Sequence, residues 1–442
     1  MGKNDIQTSC IIVLLFVGLL LLLSIATPVL ASALPTSFDL RDINGHSYIG
    51  AVRDQGNCGG CYSFGAIAAA ESSYNVANDL YDDQAVDFSE AFILWNLSSH
   101  YDDFYGCDGA GYEFEELTSL TQYGVSLERD FPYTVTQPSD NSHWDDPRTI
   151  FTDWYRIPIN DIETTKRVLA NIGAVDASVL ADDNFIEYDG GIFNNNYTVV
   201  QAVLPYYTAT NHLTALVGWN DDHDADGLGT WTLRNSWGTS WANDGYMDIG
   251  YTSAAVLLES SYLIANPWSG TNYQLSVETS PDVQKWSSGG VLNAHGVDLW
   301  GAPASSVDVN SDIIIEAVSD NEMTFARGIY LWGGAGGRVT NNQNIKVKSA
   351  SQGKQAIAYA VCLQGGQVTN NGLLQADAIT NADQALAFGI WVANGKNPIT
   401  VTNSGKIIAQ SKGGIKGDTG SIVSTAPHES TSNTEFQLDW CG

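Results

Sequence analysis

Arg53-Asp54-Gln55-Gly56-Asn57-Cys58-Gly59-Gly60-Cys61-Tyr62-Ser63-Phe64-Gly65-Ala66-Ile67-Ala68-Ala69-Ala70-Glu71 changes character at Cys61. Before it lies a glycine-rich turn; after it comes an Ala-rich run with high helix propensity. Cys61 therefore falls at a helix N-terminus, where open N–H groups and the macrodipole favour an anion, and its thiolate is stabilised there. The competing reading of Cys58-x-x-Cys61 is a redox motif or half a zinc site. No second Cys-x-x-Cys follows in the chain, which weakens zinc.

A thiolate nucleophile needs a cation beside it and a proton for a leaving amine, which is work for histidine. His212 opens a short apolar segment, His212-Leu213-Thr214-Ala215-Leu216-Val217-Gly218-Trp219, that reads as a strand. A second strand-like segment, Thr230-Trp231-Thr232-Leu233-Arg234, ends at Asn235. The Asn235 amide on the neighbouring strand is placed to accept a hydrogen bond from the imidazole.

The chain has 442 residues, 44% of them hydrophobic, enough for two or three cored domains. Fifty acidic against nineteen basic residues leave a net charge of −31, which argues against gripping a phosphate backbone, so nucleic acid is excluded as a partner. Residues 34–265 carry thirty-five acids and eight bases, with Lys166 their only lysine. Such a surface stays soluble by self-repulsion and suits a saline or exposed milieu. Ile11 to Leu23 is apolar or small and leads to Ala31-Ser32-Ala33, so residues 1–33 read as a secretory signal cut after Ala33. An uncleaved anchor is the alternative, since such a stretch approaches the ~20 residues that span a bilayer. Removal of Cys10 leaves Cys58, Cys61, Cys107, Cys362 and Cys441, an odd number that leaves one thiol free or bonded to another chain.

Taken together, the Gln55-Gly-x-Cys58-Gly-x-Cys61 block, Asn211-His212 and Asn235-Ser236-Trp237-Gly238-x-x-Trp241 resemble, in order, the papain family of cysteine peptidases in a prokaryotic, exported form. The resemblance spans about residues 34–265, from Leu34-Pro35-Thr36-Ser37-Phe38-Asp39 onward. It implies an α+β catalytic domain of two subdomains, one helical and one β-barrel-like. By position, Cys61 is the nucleophile, His212 its general acid/base and Asn235 the residue that orients the ring under Trp237. Gln55 joins the Cys61 N–H in stabilising the oxyanion. Gly59, Gly60, Gly109, Ala110 and Trp237 border the substrate. The resemblance also pairs Cys58 with Cys107, keeps Cys61 free and leaves Cys362 and Cys441 as a second candidate pair. Gly109 matches a glycine whose backbone pairs with extended substrate, where a side chain would block close approach.

Departures from the family pattern are Ala110 for a second glycine, Tyr62 for tryptophan and Ala242 after Trp241. Cysteines for the family's further disulfides are absent, so packing must compensate. The reading also passes from the signal straight to the catalytic domain, without the family's inhibitory pro-segment. Control by compartment, metal or a separate inhibitor is then expected.

Asp222, Asp224 and Asp226 followed by Gly227 resemble the opening of a calcium loop, but position twelve is Leu233 rather than Glu, and a solvated acidic hairpin is the competing reading. No other metal or cofactor is expected. The remaining histidines lack partners at ligand spacing. Asn96-Leu97-Ser98 and Asn196-Tyr197-Thr198 are glycosylation sequons.

Residues 266–290 read as a linker rich in Pro, Ser and Gly, and residues 416–442 as a tail. Between them, over 291–415, the chain repeats. Segments starting at Val307, Val339, Val368 and Val401 are 32, 29 and 33 residues apart, and Gly296-Val297, Gly328-Ile329, Ala360-Val361 and Gly389-Ile390 keep step at 32, 32 and 29. Short alternating strands at a fixed period predict a right-handed parallel β-helix of about four rungs, with inward Asn residues laddering between them. The repeats look like those of bacterial surface adhesins. They are expected to serve as a spacer, or as a surface for cell-wall glycan or protein, with Trp300, Trp332 and Trp391 as a candidate aromatic platform.

The sequence therefore predicts a secreted or cell-surface cysteine endopeptidase acting on proteins or peptides. The alternative is a surface adhesin or binding protein with a silent peptidase-like half.

Overall fold

The Ala-rich run after Cys61 forms helix α1 (Cys61–Asn78), buried from Tyr62 through Ser73. Small side chains let neighbours approach from every side, and α1 packs on one flank against helices and on the other against a sheet. The computed structural model describes residues 34–96, 104–110, 115–138, 148–195, 197, 210–225, 227–265, 274–300, 305–332, 337–381, 385–392, 399–412 and 418–423. The signal reading, Cys441, Asp226, Asn196 and part of each sequon lie outside the described residues.

The helical partners of α1 are α2 (Glu90–Asn96) and α3 (Glu115–Gln122). Phe88, Phe92, Leu94, Leu117 and Phe131 share its apolar core. Farther along come α4 (Ile162–Asn171) and the short α5 (Asp183–Ile186). The sheet comprises β1 (Ser37–Asp39), β2 (Asp153–Arg156), β3 (Val175–Val179), β4 (Ile192–Phe193), β5 (His212–Ala225), β6 (Leu228–Arg234), β7 (Tyr246–Gly250) and β8 (Ser260–Ile264). Its order is β2-β8-β3-β5-β6-β7-β4, with β1 paired to β5, and it is antiparallel apart from β4 on β7. The helical and β portions of this α+β domain meet along α1 and β5.

The second half is a parallel solenoid. It opens with β9 (Gln274–Val277), β10 (Gln284–Ser288) and β11 (Val291–Trp300). Four rungs follow: β12 (Ser306–Val309), β13 (Ile313–Ser319) and β14 (Met323–Trp332); β15 (Gly337–Asn341), β16 (Asn344–Ser351) and β17 (Ala356–Leu363); β18 (Gly366–Asn370), β19 (Leu373–Thr380) and β20 (Ala385–Val392); β21 (Ile399–Asn403), β22 (Lys406–Lys412) and β23 (Asp418–Val423). The repeat phase is the ladder register. Val307, Val339, Val368 and Val401 stack in one sheet, and Val297, Ile329, Val361 and Ile390 in another. Their inward side chains form one apolar core.

Two boundaries differ from the sequence reading. Within the expected linker, β9 already pairs with β12, and β10 forms an antiparallel hairpin with β11 through Gly289 and Gly290, at φ 55° and 74°. Within the expected tail, β23 pairs with β20. Gly, Ser and Pro mark turns between short strands as readily as they mark linkers, so composition misplaced both limits. The described residues from Pro35 onward form one compact unit rather than two tethered ones.

The expected aromatic platform is not confirmed for Trp391, which is buried beside Tyr359 and stands in register with Cys362. Cys362 is buried and free.

Asparagine ladders run at the corner of the rungs. Buried Asn341 donates from Nδ2 to Asn370 Oδ1 and Asn370 to Asn403 Oδ1, each at 2.7 Å. An exposed ladder beside it links Asn371, Asn342 and Asn310 at 2.9 Å. Only in the buried ladder does a lost partner leave an amide without water. Asn370→Ala should lower unfolding stability by about 2–3 kcal/mol, against about 0.5 kcal/mol or less for Asn342→Ala. Denaturant titration of both variants checks the difference.

Candidate active site

Cys61 is the first residue of α1, and Gly60 at the N-cap supplies no side-chain hydrogen bond. The first-turn N–H groups are thus left for the sulfur or for substrate. Burial pushes the Cys61 thiol up, while hydrogen bonds from the N–H groups of Leu213, Tyr62 and Cys61 itself pull it down. Close packing around the turn accounts for its glycines. A Cβ on Gly59 would lie 2.7 Å from Cys107 O, and one on Gly60 would lie 2.9 Å from Leu94 Cδ1. Cys58 and Cys107 are disulfide-bonded, and Gly59 N–H donates to Cys107 O at 2.8 Å, so the loop is pinned on both sides.

His212 begins β5, and Asn235 follows the end of β6, the strand paired with it. His212 Nε2–H donates to Asn235 Oδ1 at 2.8 Å. An amide oxygen can only accept, so the proton sits on Nε2 and Nδ1 is left for the thiol. Trp237 stacks on the imidazole with ring centroids 4.7 Å apart, and Phe185 and Trp241 back the indole. Burial lowers the His212 pKa to about 4, opposed by the bond to Asn235.

Gln55 is held at several atoms. Its Nε2 donates to Cys58 O at 2.8 Å, its Oε1 accepts from Ser236 Oγ at 2.6 Å, and its carbonyl accepts from Tyr133 OH at 2.9 Å. One Nε2 hydrogen remains to point at an oxyanion. Gly109 sits at φ 102°, yet a Cβ there would meet nothing within 4 Å. The backbone conformation, rather than crowding, calls for glycine. Ala110 is exposed and bridges to Phe104.

The sequence reading thus picks out residues that the fold gathers: Gln55, Cys61, His212, Asn235 and Trp237. It misses Ser236, which lies inside the quoted Asn-Ser-Trp block, and Phe185, for which no local pattern exists. In the calcium reading, Asp222 and Asp224 lie on β5, and among the described residues no group of three His, Cys, Asp or Glu is arranged to hold a metal.

A model described as papain family cysteine protease matches residues 34–265. The chain belongs to the papain family. Fruit bromelain of Ananas comosus is 30% identical over 216 residues, covering 49% of this chain and 55% of that protein. Macrodontain-1 of Ananas macrodontes is 29% identical over 220 residues, covering 49% and 89%. A solved bromelain protease from Ananas comosus in complex with the E64 inhibitor is 25% identical, covers 52% of this chain and 100% of its own, and has a TM-score of 0.43. The chain therefore spans little more than half the length of fruit bromelain. No helix among the described residues is long and apolar enough to cross a membrane.

Behind the site of this papain-family member lies a small cavity of mixed character, with Arg53, Glu90, Arg234 and Asn235 on its polar side and Phe64 and Leu213 on its apolar side. Burial raises Glu90 to about 8, with repulsion from Glu71 adding to it. Burial also raises Glu71 to about 7, against the pull of Arg234. Above the ordinary carboxyl value of 4.5 the unfolded chain releases protons that the folded one keeps, so stability falls as pH rises from there toward 8. Glu90→Gln should flatten that fall, melting about 3–6 °C above wild type at pH of about 8 and level with it at pH of about 4. Parallel Tm-against-pH curves for the two proteins would contradict this.

Proposed function

We propose that this chain is an exported cysteine endopeptidase that hydrolyses peptide bonds in proteins or peptides through a thioester on Cys61. The observation that carries the reading is the His212 Nε2–H···Asn235 Oδ1 bond under Trp237, which leaves Nδ1 as a base for a thiol at a helix N-terminus. His212 takes the Cys61 proton, and the thiolate adds to the scissile carbonyl carbon. The oxyanion is met by the Cys61 N–H and the remaining Gln55 Nε2–H. As the tetrahedral intermediate collapses, imidazolium gives its proton to the departing amine. A water deprotonated by His212 then attacks the thioester, and loss of the sulfur frees the acid product. These steps need no metal or cofactor.

Export is supported by the disulfide, suited to an oxidising exterior, and by the acidic surface, suited to a saline or exposed milieu. Any contact of the solenoid with a cell surface or glycan would use its exposed faces, such as that of β13, where Ile314 and Val318 point outward. The competing reading as a binding protein with a silent peptidase half is disfavoured by the intact set Gln55, Cys61, His212 and Asn235.

Cys61→Ala should abolish both hydrolysis of peptide-amide reporters and labelling by an epoxide active-site probe. Retained turnover would refute the assignment. Gln55→Ala should retain labelling and lower kcat about 10²–10³-fold, as expected for loss of one oxyanion donor. In acid, protonated imidazole cannot take up the thiol proton, so activity is lost on the acid side. The limb of kcat/KM should lie at or below about pH 4, where burial places His212. A limb near 6.5 would mean that the imidazole is solvated like a free histidine.

A further inference from the structure

Helix α4 and strand β17 share an unusual property. Ile162 through Leu169 of α4 are all buried, although Glu163, Lys166 and Arg167 would make the polar face of an ordinary surface helix. All eight residues of β17 are buried as well, whereas β13 alternates buried and exposed as one solvated sheet face requires. Thr164 of α4 reaches Tyr330 of β14, and Tyr359 of β17 donates to Ile159 O, just before α4, at 3.1 Å.

The contacts are specific. Arg327 of β14 donates from Nη2 to Asp161 Oδ1 at 2.5 Å, and neither side chain is exposed to any extent. The guanidinium is sandwiched by Phe325 and Tyr330, at 4.6 and 5.0 Å from their ring centres. Asp161 is also the N-cap of α4, accepting from Thr164 N–H at 3.0 Å. Arg167 pairs at 2.7 Å with Asp298 of β11, which also accepts from His295 at 2.9 Å. Lys166 pairs with Asp221 of β5, whose other oxygen accepts from Ser288 Oγ of β10 at 2.7 Å.

These contacts lie far from the chemistry. Asp221 is nine residues along β5 from His212, a separation of about 30 Å at the rise of an extended strand. None of the cross-contacts described involves Gln55, Cys61, His212 or Asn235.

We propose that the solenoid is an obligatory, non-inhibitory folding partner in cis. It docks permanently on α4 and the far end of β5 through the Arg327–Asp161 pair, so that the two halves unfold as one unit and the cleft stays open. An isolated peptidase half would expose an apolar and charged seam built for burial, and an isolated solenoid would expose Arg327, Tyr359 and Phe388. The solenoid's role is therefore neither a tethered spacer nor a latch over the active site.

The test is hydrogen exchange on the full chain carrying Arg327→Met, which strands Asp161 in the seam. Exchange should quicken at least tenfold in α4 and β5 of the peptidase half as well as in β14. The double variant Asp161→Asn/Arg327→Met, which removes both charges and keeps a capping side chain, should recover most of the protection. If Arg327→Met does not fold, Ser288→Ala removes the hydroxyl that donates to Asp221 and accepts from Lys166 in the same seam, and should quicken exchange in β5 beyond β10. Quickening confined to solenoid amides, or wild-type unfolding in two separate transitions, overturns the proposal. The non-inhibitory part rests on Cys61 being the nucleophile. Iodoacetamide labelling of Cys61, read by peptide mapping apart from the free Cys362, should be no faster in Arg327→Met than in wild type, and faster labelling of Cys61 overturns that part. Absence of labelling in the wild type would instead refute the peptidase reading and leave the exchange result standing.

Discussion

One carboxylate, that of Asp161, caps helix α4 and receives a guanidinium from the solenoid. Both members of the Asp161–Arg327 pair are withdrawn from water, and each compensates the other's lost hydration. Such a pair adds little over well-packed apolar residues, but breaking it leaves a charge stranded. It therefore acts as a constraint on register more than as a source of stability. Burial nevertheless pushes the Asp161 carboxyl up despite Arg327, a sign of how dry the seam is. Docking places Phe388 and Tyr359, stacked 4.7 Å apart, in the same covered layer.

From that seam the structure extends in two directions. In the solenoid, parallel ladders hold Val, Ile and Ala inward, and asparagine side chains satisfy one another from rung to rung. In the peptidase half, α4 packs on β5, and the other end of β5 carries His212. The candidate catalytic side chains are held by their neighbours: Gln55 by Cys58 and Ser236, His212 by Asn235 and Trp237. With only one disulfide among the described residues, this order rests on packing and on buried charge such as the Glu71–Arg234 pair.

The site was readable in the sequence to the extent that its members sit in contiguous blocks. Gly60 before Cys61 and the Ala-rich run after it specify a helix start, and His212 and Asn235 stand at the ends of recognisable strands. Phe185 was not readable, because it reaches Trp237 and Trp241 only through the fold. The solenoid was legible because a rung repeats its inward valine at a fixed spacing. Its limits were not, since Gly289-Gly290 shapes a hairpin turn while looking like linker composition. The run Ala356–Leu363 is buried on both faces, which the reading of short alternating strands did not include. Nothing local told what would cover its outer face.

The sequence by itself determined the helix at Cys61, the rung period and the family, because each depends on residues close in the chain or repeated along it. Only the tertiary structure decided that Asp161 meets Arg327, Arg167 meets Asp298 and Lys166 reaches Asp221 beside Ser288. In the sequence, Glu163 and Arg167 look like a solvated helical ion pair, and Lys166 is a lone lysine in an acidic domain. The physical reason is separation: Asp161 and Arg327 stand 166 residues apart. No periodicity or propensity links them until two complete folds present their faces and water is excluded between them.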